Sequence, residues 1–145
     1  MAESIEREIG IDAPPEVVYQ VISSAEHLRN WWPDHAEIDA VPGSTGFVAF
    51  GEEGSTPKKV AVTVVEADPP RRFAFRWCHD QGEAATPANS LLVTFDLAAT
   101  PTGTRLRFRE SGFDTAGVTE AQYRDHVSGW DHFLPRLVRY AAGPV

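Results

Sequence analysis

Polar and apolar residues alternate in a series of short stretches along this chain. Between Glu3 and Ile11, Ile5, Ile9 and Ile11 share one face, with Glu6, Glu8 and Gly10 opposite; Arg7 interrupts the apolar face. Lys59 to Glu66 carries Val60, Val62 and Val64 on one side, and Arg72 to Cys78 carries Phe73, Phe75 and Trp77. Leu91 to Leu97 repeats the pattern with Leu91, Val93, Phe95 and Leu97, and Arg105 to Arg109 sets Leu106 and Phe108 against three arginines. A two-residue period with one wet and one dry face predicts strands of an antiparallel sheet. The gaps between them are rich in glycine and proline: Pro42-Gly43, Gly46, Gly51 to Pro57, Pro69-Pro70, Asp80 to Pro87 and Pro101-Thr102-Gly103. Gaps of hairpin length join neighbouring antiparallel strands, so the strands predict a meander and not parallel crossovers.

The period changes to helical in two places. After Asp12-Ala13-Pro14-Pro15-Glu16, Val17, Val18, Val21 and Ile22 follow at helical spacing, and proline suits a first helical turn. Ser23 with Glu26 three residues later has the form of a capping box and predicts a second short helix, ending before Pro33 just after Trp31-Trp32. Near the C-terminus, Thr119 and Gln122 form another capping-box pair. Tyr123, Val127, Trp130, Leu134, Leu137 and Ala141 then make one apolar stripe. Pro135 removes the hydrogen bond to the carbonyl of Asp131 and predicts a bend there, and Gly129 predicts a strand packed close to the helix. Gly143-Pro144 ends the helix. Together these elements predict an α+β helix-grip fold, one domain over residues 1–145. In it a curved antiparallel sheet wraps around a long C-terminal helix, with two short helices after the first strand.

One helix of about twenty residues cannot cover a long curved sheet. The dry side between them is lined by Phe73, Phe75, Trp77, Phe95 and Phe108 from strands and by Tyr123, Val127 and Trp130 from the helix. Trp31 or Trp32 stands at the mouth. Apolar, aromatic-lined pockets are the usual small-molecule sites. The same aromatics also serve as core, so a ligand-sized cavity and a filled interior both remain open.

Charge and composition narrow the partners. A net charge of −8 without a basic stripe argues against nucleic acid, and the alternating Arg105, Arg107 and Arg109 read as a solvated outer face. No apolar run approaches the ~20 residues needed to span a bilayer. The charged stretch from Met1 to Glu8 lacks a signal peptide's apolar core, so a cytoplasmic location is expected. With Cys78 as sole cysteine, no internal disulfide or cysteine zinc cluster can form. The histidines show no His-x-x-x-His spacing, so no metal is expected, and Gly51-Glu-Glu-Gly54 is too acidic for a phosphate loop. No cofactor and no catalytic residue is assigned. His79 leaves its strand on the Trp77 face and is the leading polar candidate inside the mouth. His126 flanks the helix stripe, and Arg7 could meet a ligand carboxylate.

The segment from Ile9 through Asp12-Ala-Pro-Pro-Glu16 to Val18 resembles the strand-to-helix signature of the START-like, polyketide-cyclase-like (SRPBCC) superfamily. Trp31-Trp32-Pro33 resembles a tryptophan pair in one branch of it. Leu92 to Leu97, Gly103 to Arg107 and Glu110-Ser-Gly-Phe113 resemble that branch's closing hairpin, and His126, Gly129-Trp130, Leu134 and Leu137 its final helix. The branch is related to the C-terminal domain of the activator of heat-shock protein 90 ATPase. The resemblance implies the helix-grip fold and three functions: non-catalytic binding or transport of a small hydrophobic or aromatic molecule, a co-chaperone-like module with a chaperone partner, or a cyclase- or hydrolase-like enzyme. The first is favoured by the aromatic inner face. Oligomeric state stays open.

Overall fold

The computed structural model describes residues 4–51 and 58–144. The elements follow in the order β1 (Ile5–Ile11), α1 (Pro15–Ser23), α2 (Ala25–Leu28), β2 (His35–Glu37), β3 (Thr45–Phe50), β4 (Lys58–Asp68), β5 (Arg72–Trp77), β6 (Leu91–Thr100), β7 (Gly103–Ser111) and α3 (Glu120–Ala142). All pairs are antiparallel, and the strands lie in the order β1-β7-β6-β5-β4-β3-β2. The meander runs from β2 to β7, and β1 closes onto β7. This is the α+β helix-grip arrangement, a curved sheet with one long helix against its concave face. Beyond Gly51, the turn expected at Gly51 to Pro57 lies outside the described residues, as does Glu3.

Register explains why the alternating pattern works. Phe73 pairs with Phe95, Phe95 with Phe108, Phe75 with Val93, and Val62 with Trp77. Each dry position therefore meets another dry position across the ladder, and burial is nearly complete at all of them. On the wet side, Arg107 reaches Glu8 at 3.2 Å, and Arg72 lies 3.0 Å from Glu66 and 2.8 Å from Asp96. The β6–β7 turn needs glycine at 103. Its φ is +156°, and a Cβ there would stand 2.2 Å from the carbonyl oxygen of Ile11.

The long helix begins with a complete capping box: Thr119 Oγ1 accepts from the Gln122 amide and Gln122 Oε1 accepts from the Thr119 amide. Trp130, Leu134, Leu137 and Ala141 are its buried residues, and Tyr123 and Val127 are partly buried. α3 runs on through Pro135, which is exposed. α1 starts with Pro15, as expected, and buries Val18, Val21 and Ile22.

Four local expectations are corrected. The residue that starts α2 is Ser24, not Ser23; the Ser23 hydroxyl bonds back to the Tyr19 carbonyl, which satisfies it inside α1. α2 stops at Leu28, and the chain reaches Trp31 and Trp32 through turns. Gly129 admits no strand, since nothing lies within 4 Å of a Cβ placed there. Arg7 on the dry phase of β1 reaches across to α3, where its Nε bonds Asp131 Oδ1 at 3.0 Å. With side-chain exposures of 36% and 53%, this is a surface ion pair.

Candidate functional site

The concave face is built around a carboxylate that the pattern analysis did not single out. Glu110 follows Leu106 and Phe108 on the dry phase of β7 and has no solvent exposure. A buried carboxylate is costly unless every lone pair finds a donor. Three donors converge on it. Trp77 Nε1 donates to Oε2 at 2.7 Å, and Trp130 Nε1 donates to Oε1 at 2.9 Å. His126 Nδ1 stands 2.9 Å from the same Oε1. Indole nitrogens only donate, so the acceptor side of each of those two bonds must be Glu110. The register makes the meeting geometrically simple: Glu110 pairs with Val93, Val93 with Phe75, and Trp77 lies two residues beyond Phe75 on the same face. α3 supplies the other two partners from positions four apart, on one side of the helix.

Trp32 fills the centre above this cluster. Its ring centroid is 5.1 Å from Trp77, 5.1 Å from Trp130, 5.8 Å from Phe75 and 6.0 Å from Phe50. Phe73 packs on Phe75, and Phe95 on Phe108, which in turn packs on Trp130. Trp31 is wholly buried, and its Nε1 donates to the Val21 carbonyl at 3.0 Å, so it ties the turn to α1. Of the tryptophan pair, Trp32 is the member that reaches open space.

That space lies at one end of the sheet. A slot of about 180 Å3 is lined by Trp32, Phe50, Trp77, His126, Trp130 and Phe133, with Gly129 forming part of its wall. A larger cleft of about 580 Å3 lies beside it, bounded by Lys58, Lys59, His79, Asn89, Ser90 and Gln122 among others. Asp125 and His126 line both. One wall of the combined space is aromatic and the other polar.

The structure places the sequence candidates in three groups. Trp32, Trp77 and Trp130 line the slot, and His79 the cleft. Phe73, Phe75, Phe95, Phe108 and Trp31 sit deeper, in the packed core. Tyr123 packs edge-on against Phe113 at 4.9 Å, and Val127 is half-buried against the core. Both nitrogens of His79 are engaged. Nδ1 faces the Asp80 carbonyl at 3.2 Å and must donate to it, which leaves Nε2 to accept from the Thr63 hydroxyl at 3.1 Å. The chain turns sharply before it, with Cys78 at φ +75°. Cys78 also borders the cleft, and its thiol is pushed up to about 12 by burial first and by the negative charge of Glu110 second. The residue is nevertheless exposed as a whole. It is therefore accessible yet not a thiolate at neutral pH. Among the described residues no group of three or more His, Cys, Asp or Glu side chains could hold a metal ion. No helix there is long and apolar enough to cross a membrane.

Glu110 could have been found by extending the pattern, as His126 was. A charged residue on the dry phase of a strand, and a histidine at the edge of an apolar stripe four residues before a tryptophan, each need a buried partner. Nothing in the sequence says that they are each other's.

Solved structures with the same fold span nearly the full chain. Protein MLL2253 of Mesorhizobium loti has a TM-score of 0.77 at 22% identity, covering 95% of this chain and 96% of that one. The Aha1 dimer of Colwellia psychrerythraea has a TM-score of 0.73 at 23% identity, with 97% and 96% covered. DynU16, from the dynemicin biosynthetic locus, has a TM-score of 0.74 at 21% identity; 94% of this chain matches 46% of that protein. No curated protein matches the sequence. The family model for Activator of Hsp90 ATPase homolog 1-like protein matches residues 12–142, so the chain belongs to that family, within the START-like superfamily.

Proposed function

We propose that this protein binds an amphipathic aromatic small molecule, without transforming it, in the slot and cleft on either side of His126. The observation that carries the reading is the juxtaposition of a small tryptophan-walled slot with a larger polar cleft at one shared histidine. The cleft volume of about 580 Å3 falls within the roughly 300–1,000 Å3 usual for small-molecule sites. The aromatic end of a ligand would stack in the slot against Trp32 and Trp130. Its polar end would lie in the cleft, which Lys58, Lys59, Asp125 and Gln122 border. DynU16, a relative in fold, belongs to a locus that makes a small molecule, which agrees with this reading.

The test is intrinsic tryptophan fluorescence titrated with fatty acids, flavonoids, sterols and aromatic polyketides. Saturable quenching by an aromatic class at low micromolar concentration supports the proposal. Flat traces across all four classes refute it. The co-chaperone reading rests on family membership, with an acidic surface suited to a basic partner. A pull-down at low and moderate salt that recovers no chaperone would remove it.

A further inference from the structure

The bonds around Glu110 fix more than packing. Its two oxygens already accept from two indoles, and Oε1 also faces His126 Nδ1. A carboxylate in that position accepts, so Nδ1 of His126 carries a proton and donates it. In the neutral ring the other nitrogen, Nε2, is then a bare lone pair. Nε2 has no hydrogen-bond partner among the described residues, and it is not a buried orphan. The ring is held edge-on between Trp77 at 5.5 Å and Phe113 at 5.9 Å, and its side chain keeps 21% exposure. It stands where slot and cleft meet. His79, the other histidine of the cleft, has both nitrogens occupied and offers no such acceptor.

We propose that His126 is a specificity-determining acceptor, set in its Nδ1–H form by Glu110, that selects ligands bearing a hydroxyl donor next to an aromatic ring. This rests on the binding reading given above and names the ligand class for that site: phenols and enols over their ethers. An aromatic ring in the slot brings a ring hydroxyl toward the seam between slot and cleft. A phenol O–H is a good donor to an imidazole nitrogen, whereas a methyl ether has no proton to give and leaves the lone pair unpaired. Loss of one such hydrogen bond corresponds to about fivefold in affinity. Glu110 acts here as a positioning residue, since it touches His126 and not the ligand.

Two measurements test this. Nitrogen-15 NMR of the neutral His126 ring in the wild-type protein reads the tautomer directly. Fluorescence titration with matched pairs, 1-naphthol against 1-methoxynaphthalene and a flavonol against its O-methyl ether, reads the selection. The expected result is a protonated Nδ1, a bare Nε2, and about fivefold tighter binding of the hydroxyl member. In His126→Phe, which keeps a planar ring without the acceptor, the preference should fall to about onefold. A protonated Nε2 overturns the inference whatever binds, and so does a preference that survives in His126→Phe. Equal binding of phenol and ether by the wild-type protein overturns it while leaving the binding site standing. Binding of neither overturns both. If His126→Phe does not fold, the wild-type tautomer and the wild-type ratio still decide.

Discussion

Gly129 offers a way to separate a binding slot from an ordinary packing gap. It lies in α3 beside Trp130, forms part of the slot wall, and has no atom within 4 Å of where a Cβ would be. Glycine inside a helix costs roughly 0.8–1.0 kcal/mol relative to alanine. Gly129→Ala should therefore stabilise the protein by about 1 kcal/mol, a rise of roughly 2–4 °C in Tm at this chain length. Gly129→Leu should keep part of that gain, because its Cβ enters open space beside the slot. The same leucine would occupy much of a slot of about 180 Å3 and exclude an aromatic ring. The signature is thus opposite in sign for two assays: thermal unfolding followed by circular dichroism should show an unchanged or raised Tm, and fluorescence titration should show at least tenfold weaker binding, about 1.4 kcal/mol or more. A lower Tm for Gly129→Ala would refute the claim of open space beside the helix. Undiminished ligand binding by a folded Gly129→Leu protein would refute the slot as the site.

Three further outcomes follow from the same geometry. Glu110→Leu strands two buried indole donors, each worth about 1–3 kcal/mol when unpaired, so chemical denaturation should show a loss of roughly 2–6 kcal/mol. Pro135→Ala restores a backbone donor in the middle of α3 and should raise stability by up to ~3 kcal/mol in the same assay; a loss would mean that the proline shapes the helix as the fold needs it. Cys78 should react sluggishly with thiol reagents at pH 8 despite its exposure, and faster only as pH climbs toward about 12. Its raised folded value also means that the unfolded chain loses this proton first. Its contribution to stability is full below the ordinary value of 9.0 and is lost as pH rises through about 12. Rapid labelling at pH 8 would contradict this.

The meander was legible because one face of each strand is dry, and alternation reports that directly. Phe73, Phe75 and Trp77 were read on the face they occupy, and the capping box at Thr119 was read at the right residue. What failed was local: a cap read one residue early, a short helix carried past its end at Leu28, and a glycine read as a strand contact. Ser23 and Ser24 are both good caps, and only the bond from Ser23 to Tyr19 decides between them. Trp31 and Trp32 are equivalent in pattern, yet one donates to the Val21 carbonyl while the other walls the slot. Gly129 has the same appearance in a sequence whether it admits a strand or leaves a gap. The Glu110 cluster was illegible for a further reason. Its members stand 33, 20 and 16 residues from Glu110, and their meeting depends on register across β5, β6 and β7 and on the rotation of α3. Alternation specifies which face a residue takes, not which distant residue it meets there. The polar cleft draws on β4, the segments after β5 and before α3, and α3 itself, which no single stretch of sequence displays.

The most direct test of the central claim is localisation of a bound ligand by backbone amide NMR shifts. A hydroxylated naphthalene titrated into the labelled protein should move the signals of Trp77, Leu91, His126 and Gly129, which surround the slot and cleft. Ile9, Gly10, Val138 and Arg139 line a separate groove between β1 and α3 and should stay still. Shifts confined to the first set would place the ligand at His126. Shifts confined to the second set, or none at saturating ligand, would contradict the account.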